Sequence, residues 1–327
     1  MPTCFLTGAT GFVGGHVARA LIAQGWAVRA LVRGDASRLN DVAEARMTPA
    51  PGDLSAAADL SAVLSGSDAI IHVAGVVKAR SLEEYREGNA RATERLVEWA
   101  KRVCPNAMFV LVSSQAAAGP ARDGRPVTES DSPRPISWYG ISKREGEEAV
   151  ARGWKGPWVA VRAAVVYGPA DRGLLVMFQA AARGFLPVPA GRSRIQIIFA
   201  EEAGLAIARA ASRRDLSGRT PFLSDPGSVT IRELCAALAG LPKRKARLLP
   251  IPNFALRAAG AIETLREALT RRSRPFNADK AREILAGDWL CDGSPLRRDL
   301  DLPAPMPLSE GLARTWQWYR ERGWLDL

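Results

Sequence analysis

An apolar run of strand length, Thr3 to Thr7, enters the turn Gly8-Ala9-Thr10-Gly11-Phe12-Val13-Gly14 and continues into a helical pattern through Val17, Leu21 and Ile22. Glycines spaced by three at a strand-to-helix junction have a physical task. Gly8 and Gly11 let the backbone turn tightly and approach a pyrophosphate, and Gly14 lets the helix pack on the strand. The helix N-terminus offers free N–H groups to the phosphate. The turn therefore predicts a dinucleotide-binding unit with Gly8, Thr10, Gly11, Phe12, Val13 and Gly14 as cofactor-binding residues.

The same rhythm continues to about residue 168. Strand-length apolar runs at Thr3 to Thr7, Ala27 to Val32, Ala69 to Val73, Met108 to Ser113 and Val159 to Val166 alternate with longer helical patterns. That alternation predicts an α/β fold, a Rossmann-type doubly wound parallel sheet whose ligand crevice lies at the carboxyl ends of the strands. After Pro169 come proline-rich breaks at Leu186 to Pro189, Pro250 to Pro252 and Leu302 to Pro307, with helical patterns between them. We read residues 1–168 as the cofactor-binding and catalytic domain. Residues 169–327 form a smaller, mainly helical substrate domain, some segments of which return to the first. The last helix is expected to be capped by Ser309, with Leu312, Trp316 and Tyr319 on one packed face.

Composition narrows the function classes. The 4 cysteines are scattered among 327 residues with only 2 histidines for company, which argues against zinc or a disulfide framework and for reduced thiols in a cytoplasm. No signal peptide or membrane span is read, and no metal is expected. The net charge of +11, from 45 basic and 34 acidic residues, is spread along the chain, so no nucleic acid partner is expected. Short basic clusters at Lys243 to Arg247 and Arg271 to Arg274 flank an amphipathic stretch, Phe254 to Leu269. It reads as a lid helix over the active site in preference to a membrane-surface helix.

The second strand ends Leu31-Val32-Arg33. An acidic residue there would bind the ribose 2′-hydroxyl of NAD; valine followed by arginine instead suits a 2′-phosphate and favours NADP(H). Asp35 is near enough in sequence to serve as a displaced acidic reader, which keeps NAD(H) open. Tyr139-Gly140-Ile141-Ser142-Lys143 sets a phenol and an ammonium four apart, on one helix face. Carbonyl reduction needs a proton donor, and a nearby ammonium is expected to lower the phenol pKa towards the working range. Ser114, at a strand end, supplies a second hydrogen bond to the substrate oxygen.

These residues together resemble the extended short-chain dehydrogenases, including their epimerase/dehydratase, dihydroflavonol reductase and 3β-hydroxysteroid dehydrogenase branches. The resemblance rests on TGATGFVG at 7–14, Gly52-Asp53-Leu54, His72-Val73-Ala74-Gly75, Asn89, Ser113-Ser114, YGISK at 139–143 and Arg162 leading to Val166-Tyr167-Gly168-Pro169. It implies hydride transfer at a nicotinamide, with Tyr139 as acid/base, Lys143 on the nicotinamide ribose and Ser114, rather than Ser113, on the substrate oxygen. By the same resemblance Asp53 and Leu54 contact adenine, Ala74 and Gly75 line the cofactor bed, and a homodimer is plausible. Tyr167 and His72 read as packing and structural residues. Two departures touch the substrate side: Phe199-Ala200-Glu201-Glu202 replaces a His-Val-Asp-Asp-type stretch, and Ala163 replaces a proline.

Three functions follow. The first is an NADP(H)-dependent ketoreductase or alcohol dehydrogenase on a hydrophobic small molecule (steroid, terpenoid, flavonoid-like or lipid-derived), with Phe178, Phe185, Leu186, Phe254 and Leu256 as candidate pocket residues. The second is an NAD-dependent nucleotide-sugar epimerase or dehydratase with Arg192 and Arg194 as a phosphate clamp. The third is a non-catalytic dinucleotide sensor or RNA-binding relative.

Overall fold

A computed structural model describes the chain except residues 35–38, 40–45, 271–275 and 326–327 and the side chain of Ala268. Among the described residues, strands β1 (Thr3–Thr7), β2 (Ala27–Val32), β3 (Met47–Pro51), β4 (Ala69–His72), β5 (Met108–Ser114) and β6 (Trp158–Ala163) join a seventh, β11 (Phe222–Leu223), in one sheet of order β11-β6-β5-β4-β1-β2-β3. Every neighbouring pair is parallel. The chain winds outward from β1 to β3 and then returns to the other side of β1. The topological switch point therefore lies between β1 and β4, where ligands bind in such sheets.

Strand alternation builds the two faces. Cys4, Leu6, Val28, Ala30, Ile71, Val110 and Val161 pack on one side with α1 (Phe12–Ala23) and α7 (Ala200–Ala210). Phe5, Leu31, Ile70, Phe109, Leu111 and Ala160 pack on the other, against α4 (Ala92–Val103) and α5 (Trp138–Gly153). Both faces of a parallel sheet are thus covered by helices, as the apolar strands require.

The second half is built around Tyr167, Phe178, Leu186, Phe199, Leu234, Leu312, Trp316 and Tyr319. Three two-stranded pairs accompany its helices: β7 (Val165–Tyr167) with β10 (Ile197–Phe199), β8 (Phe185–Pro189) with β13 (Arg247–Ile251), and β9 (Arg194–Ile195) with β12 (Val229–Thr230). The proline-rich segments read as breaks at 186–189 and 250–252 are in part this β8–β13 pairing, since a two-stranded pair tolerates residues without an N–H. The run Val159 to Val166 divides at Ala164, whose N–H turns to Leu223 O at 2.9 Å. The last helix, α12 (Leu308–Glu321), starts before Ser309 with Pro307 at its cap position. It buries Leu312, Trp316 and Tyr319 as expected.

Candidate active site

The glycine turn follows β1 directly. Gly8 has φ of +79°, and a side chain there would meet the Ala74 backbone nitrogen at 2.7 Å; one at Gly14 would meet Gly8 O at 2.0 Å. The turn is thereby pressed against β4's end and the start of α1. Gly11 caps α1 without a side-chain hydrogen bond, and the first turn holds no acidic residue. The uncapped N–H groups and their positive dipole end suit a pyrophosphate, so these residues fit a dinucleotide.

Around that cradle stand the other candidate cofactor residues. Ala74 N donates to Thr7 Oγ1 at 3.1 Å, and Gly75 lies beside Asn89 and Lys143. Arg33 is exposed. The Asp53 carboxyl lies below its ordinary pKa, chiefly through hydrogen bonds from Ser55 and with help from the Arg33 charge. Leu54 O accepts from Arg95 Nε at 2.7 Å. Asp35 lies outside the described residues.

The catalytic-pair helix α5 begins after a proline-containing loop because Ser137 caps it, its Oγ accepting from Gly140 N at 3.1 Å. Two carboxylates from α10 (Ala278–Leu285) close the same end. Ser137 Oγ donates to Glu283 Oε1 at 2.5 Å, and Trp138 N donates to Asp279 Oδ2 at 3.0 Å. Anions at a helix N-terminus are stabilised by its dipole. Sequence reasoning missed both, since nothing local links residue 137 to residue 283.

Tyr139 stands half-buried on this helix, 6.0 Å from the Tyr85 ring. Burial pushes its phenol up to about 12 against a hydrogen bond from Ser114, with Glu283 adding to the rise. The expected lowering by an ammonium is not what the structure gives. Lys143 Nζ donates to Val112 O at 2.7 Å, and its own desolvation brings it down to about 8 despite Glu147. Below that pH the site holds a protonated phenol and a charged ammonium on one helix face.

The two serines part company. Ser113 Oγ donates to Glu147 Oε1 at 2.6 Å and is buried. Glu147 is held by Arg162 through contacts of 2.9 and 2.8 Å, both side chains being 1% exposed. Ser114, half-buried, is the serine that faces Tyr139. Glu147 was missed although it is four residues beyond Lys143, the spacing that puts it on the same face. Asn89, on a π-helical turn at Glu87–Arg91, accepts from Val76 N at 2.7 Å and donates to Ser142 Oγ at 2.8 Å, tying the loop after β4 to α5.

His72 is a structural residue. Thr93 Oγ1 donates to Asn89 O at 2.8 Å, so the His72 Nε2 that meets it at 3.1 Å is the protonated nitrogen. Nδ1 then accepts from Thr7 Oγ1 at 2.7 Å. Burial, with the Lys143 charge, brings the imidazole down to about 3 from 6.5. Between those values only the unfolded chain takes up this proton, so the stability His72 contributes is complete above pH 6.5 and is lost as pH falls. The stability deficit of His72→Gln relative to wild type is expected to shrink by about 1.4 kcal/mol per pH unit below 6.5. Urea unfolding of both proteins at several pH values checks this; a constant deficit contradicts it.

The candidate substrate residues do not assemble. Phe178 and Leu186 are wholly buried in the second core, whereas Phe185 and Phe254 are 47% and 75% exposed. Arg194 is held by Asp288, with Nη2 to Oδ2 at 2.6 Å and Nε at 3.0 Å, and Arg192 is exposed. Tyr167 packs on Phe199 with ring centres 5.5 Å apart. Glu202, in the departing stretch, is buried beneath Arg297 at 3.7 Å and joins α7 to the C-terminal segment.

The model of the NAD-dependent epimerase/dehydratase family matches residues 4–220. The ceramide reductase of Caulobacter vibrioides (strain NA1000 / CB15N) is 35% identical over 325 residues, 98% of this chain and 95% of that protein. The 4-hydroxy-2-methyl-3-oxo-4-farnesyl-3,4-dihydroquinoline-1-oxide ketoreductase of Stigmatella aurantiaca is 28% identical, over 94% of both chains. A solved structure, UDP-glucuronic acid 4-epimerase from Bacillus cereus with UDP-glucuronic acid and NAD, superposes with TM-score 0.79 at 18% identity over 98% of this chain and 99% of that one; at that identity the likeness shows the fold alone. The chain belongs to the NAD-dependent epimerase/dehydratase family and is an NAD(P)-dependent enzyme of the extended short-chain dehydrogenase type.

Proposed function

We propose that this enzyme interconverts a ketone and an alcohol on a long-chain, apolar small molecule with NADP(H) as its redox partner. The arrangement that carries the reading is the Tyr139 phenol, raised by burial and set beside Ser114, on the helix face that also bears Lys143. Tyr139 donates its proton to the substrate oxygen, and Ser114 holds that oxygen by a second hydrogen bond as charge develops on it. Lys143, anchored on Val112 O, lends its positive charge to the same spot. When bound, the nicotinamide supplies the hydride. Glu147 and Arg162 fix the floor of the site, and Asp279 and Glu283 fix the start of its helix. Residues 1–168 do the chemistry in this reading, and 169–327 select the substrate.

Net reduction is favoured over epimerisation by Arg194, whose guanidinium is engaged by Asp288 and so makes a poor diphosphate clamp. The relatives that match along nearly the full chain and are named as reductases of a ceramide and a farnesylated quinoline support an apolar substrate. The test is NADPH consumption with long-chain oxo-lipids beside a panel of UDP-hexoses. Turnover of the lipids alone is the expected result; conversion of a UDP-hexose with no net NADPH use overturns it.

The NADP(H) preference rests on Arg33, exposed at the end of β2 and close enough to Asp53 to act on its carboxyl. Arg33→Ala is expected to reduce the NADPH-over-NADH preference in kcat/KM by about 10- to 100-fold, the value of a charge-assisted hydrogen bond. An unchanged ratio would remove the basis for NADP(H).

A further inference from the structure

We infer that helix α9 (Asn253–Thr270) is an interfacial helix that seats the enzyme on an anionic phospholipid surface. Surface helices of globular proteins turn their apolar stripe inward; α9 does the reverse. Phe254, Ile262, Leu265 and Leu269 are 75%, 53%, 62% and 76% exposed, and the exposed Ala258 and Ala261 fill the stripe between them. The positions 254, 258, 261, 262, 265 and 269 fall on one face at helical spacing. With 18 residues the helix is about 27 Å long.

Its inward side carries polar groups beside the half-buried Leu256. Asn277 Nδ2 donates to Glu267 Oε2 at 3.2 Å, and Ala278 N donates to Thr264 Oγ1 at 3.0 Å. Buried Gly260 packs on Ala281 of α10. The inward face of α9 reaches towards the catalytic helix, with Glu267 close enough to Tyr85 to act on its phenol, whereas the apolar stripe faces solvent.

Charge selects the occupant. From residue 241 to residue 270 the exposed charged side chains are Lys243, Arg244, Lys245, Arg247, Arg257 and Arg266, all basic; Glu267 is buried, and the partly exposed Glu263 accepts from Arg266 Nη1 at 2.6 Å. The cluster Arg271 to Arg274 lies outside the described residues. An apolar stripe rimmed by cations matches acyl chains beneath anionic headgroups, with each basic group near the surface adding attraction. A second copy of the chain would bring the same cations against one another.

The inference stands apart from the proposed reaction, and its test reads binding alone. The whole protein is sedimented with vesicles of equimolar phosphatidylcholine and phosphatidylglycerol and with vesicles of phosphatidylcholine alone. The wild type is expected to pellet with the anionic vesicles and far less with the neutral ones. Ile262→Ser/Leu265→Ser is expected to weaken that binding by about tenfold or more with melting temperature and NADPH binding unchanged. Three results would overturn the inference: wild type left in the supernatant with anionic vesicles, the double variant pelleting like wild type, or a solution dimer that the substitutions dissociate without any vesicle binding.

Discussion

Tyr139→Phe is expected to lower the rate of ketone reduction by about a thousandfold, within the range that a positioned general acid contributes. The ring, its contact with Tyr85 and the helix that carries it all persist, so the loss is confined to one proton. NADPH binding should stay within about twofold of wild type, because the glycine turn and Lys143 are untouched. The pH profile carries a second signature. With the phenol up at about 12, reduction has its proton donor throughout the neutral range. The Lys143 ammonium, brought down to about 8, is charged below that pH and neutral above it. Reduction should therefore be level up to about pH 8 and fall beyond it, whereas alcohol oxidation, which needs the phenol to accept a proton, should rise with pH. Steady-state rates in both directions from pH 6 to about 10 test this.

The largest stability effect is expected at Glu147. Glu147→Ala leaves the Arg162 guanidinium, 1% exposed, without its counter-charge and Ser113 Oγ without its acceptor. Breaking a buried pair from one side costs about 3–5 kcal/mol, a large share of the roughly 5–15 kcal/mol that holds a domain folded. Removing both charges together, as Glu147→Leu/Arg162→Met, should cost far less, since no charge is then stranded. Urea unfolding of the three proteins distinguishes the outcomes. Near-equal losses for the single and double variants would mean that packing, not charge, sets the effect. Glu147→Ala should also lower the Lys143 pKa further, because Glu147 is the charge that raises it.

How much of this was legible depended on whether the cause was local. Strands β1 and β2 were read to the residue because alternation and the glycine turn are written within a few positions. Strand β3, Met47–Pro51, was missed because Pro49 and Pro51 argue against a strand, yet β3 lies at the sheet edge, where a missing N–H goes unused. Strands β6 and β7 looked like one run because both are apolar; only tertiary partners, Leu223 and Gln196, separate them at Ala164 and Val165. The site divides in the same way. Ser114, Tyr139 and Lys143 come from a strand end and one helix turn, both visible in sequence. Asp279 and Glu283 reach the start of α5 across the fold, Glu283 from 146 residues away, and no spacing rule reveals that. The Tyr139 phenol is raised for the related reason that burial is a property of the folded whole, and it outweighs the hydrogen bond from Ser114.

The most direct test of the central claim follows the hydride. Purified enzyme is supplied with NADPH deuterated at the transferable position and a long-chain oxo-lipid, and the products are weighed by mass spectrometry. Net reduction gives one deuterium on the carbinol carbon of the alcohol for each NADP+ formed, and Tyr139→Phe all but abolishes it. Unlabelled lipid and unspent cofactor, together with epimerised UDP-hexose from the same preparation, would contradict the account.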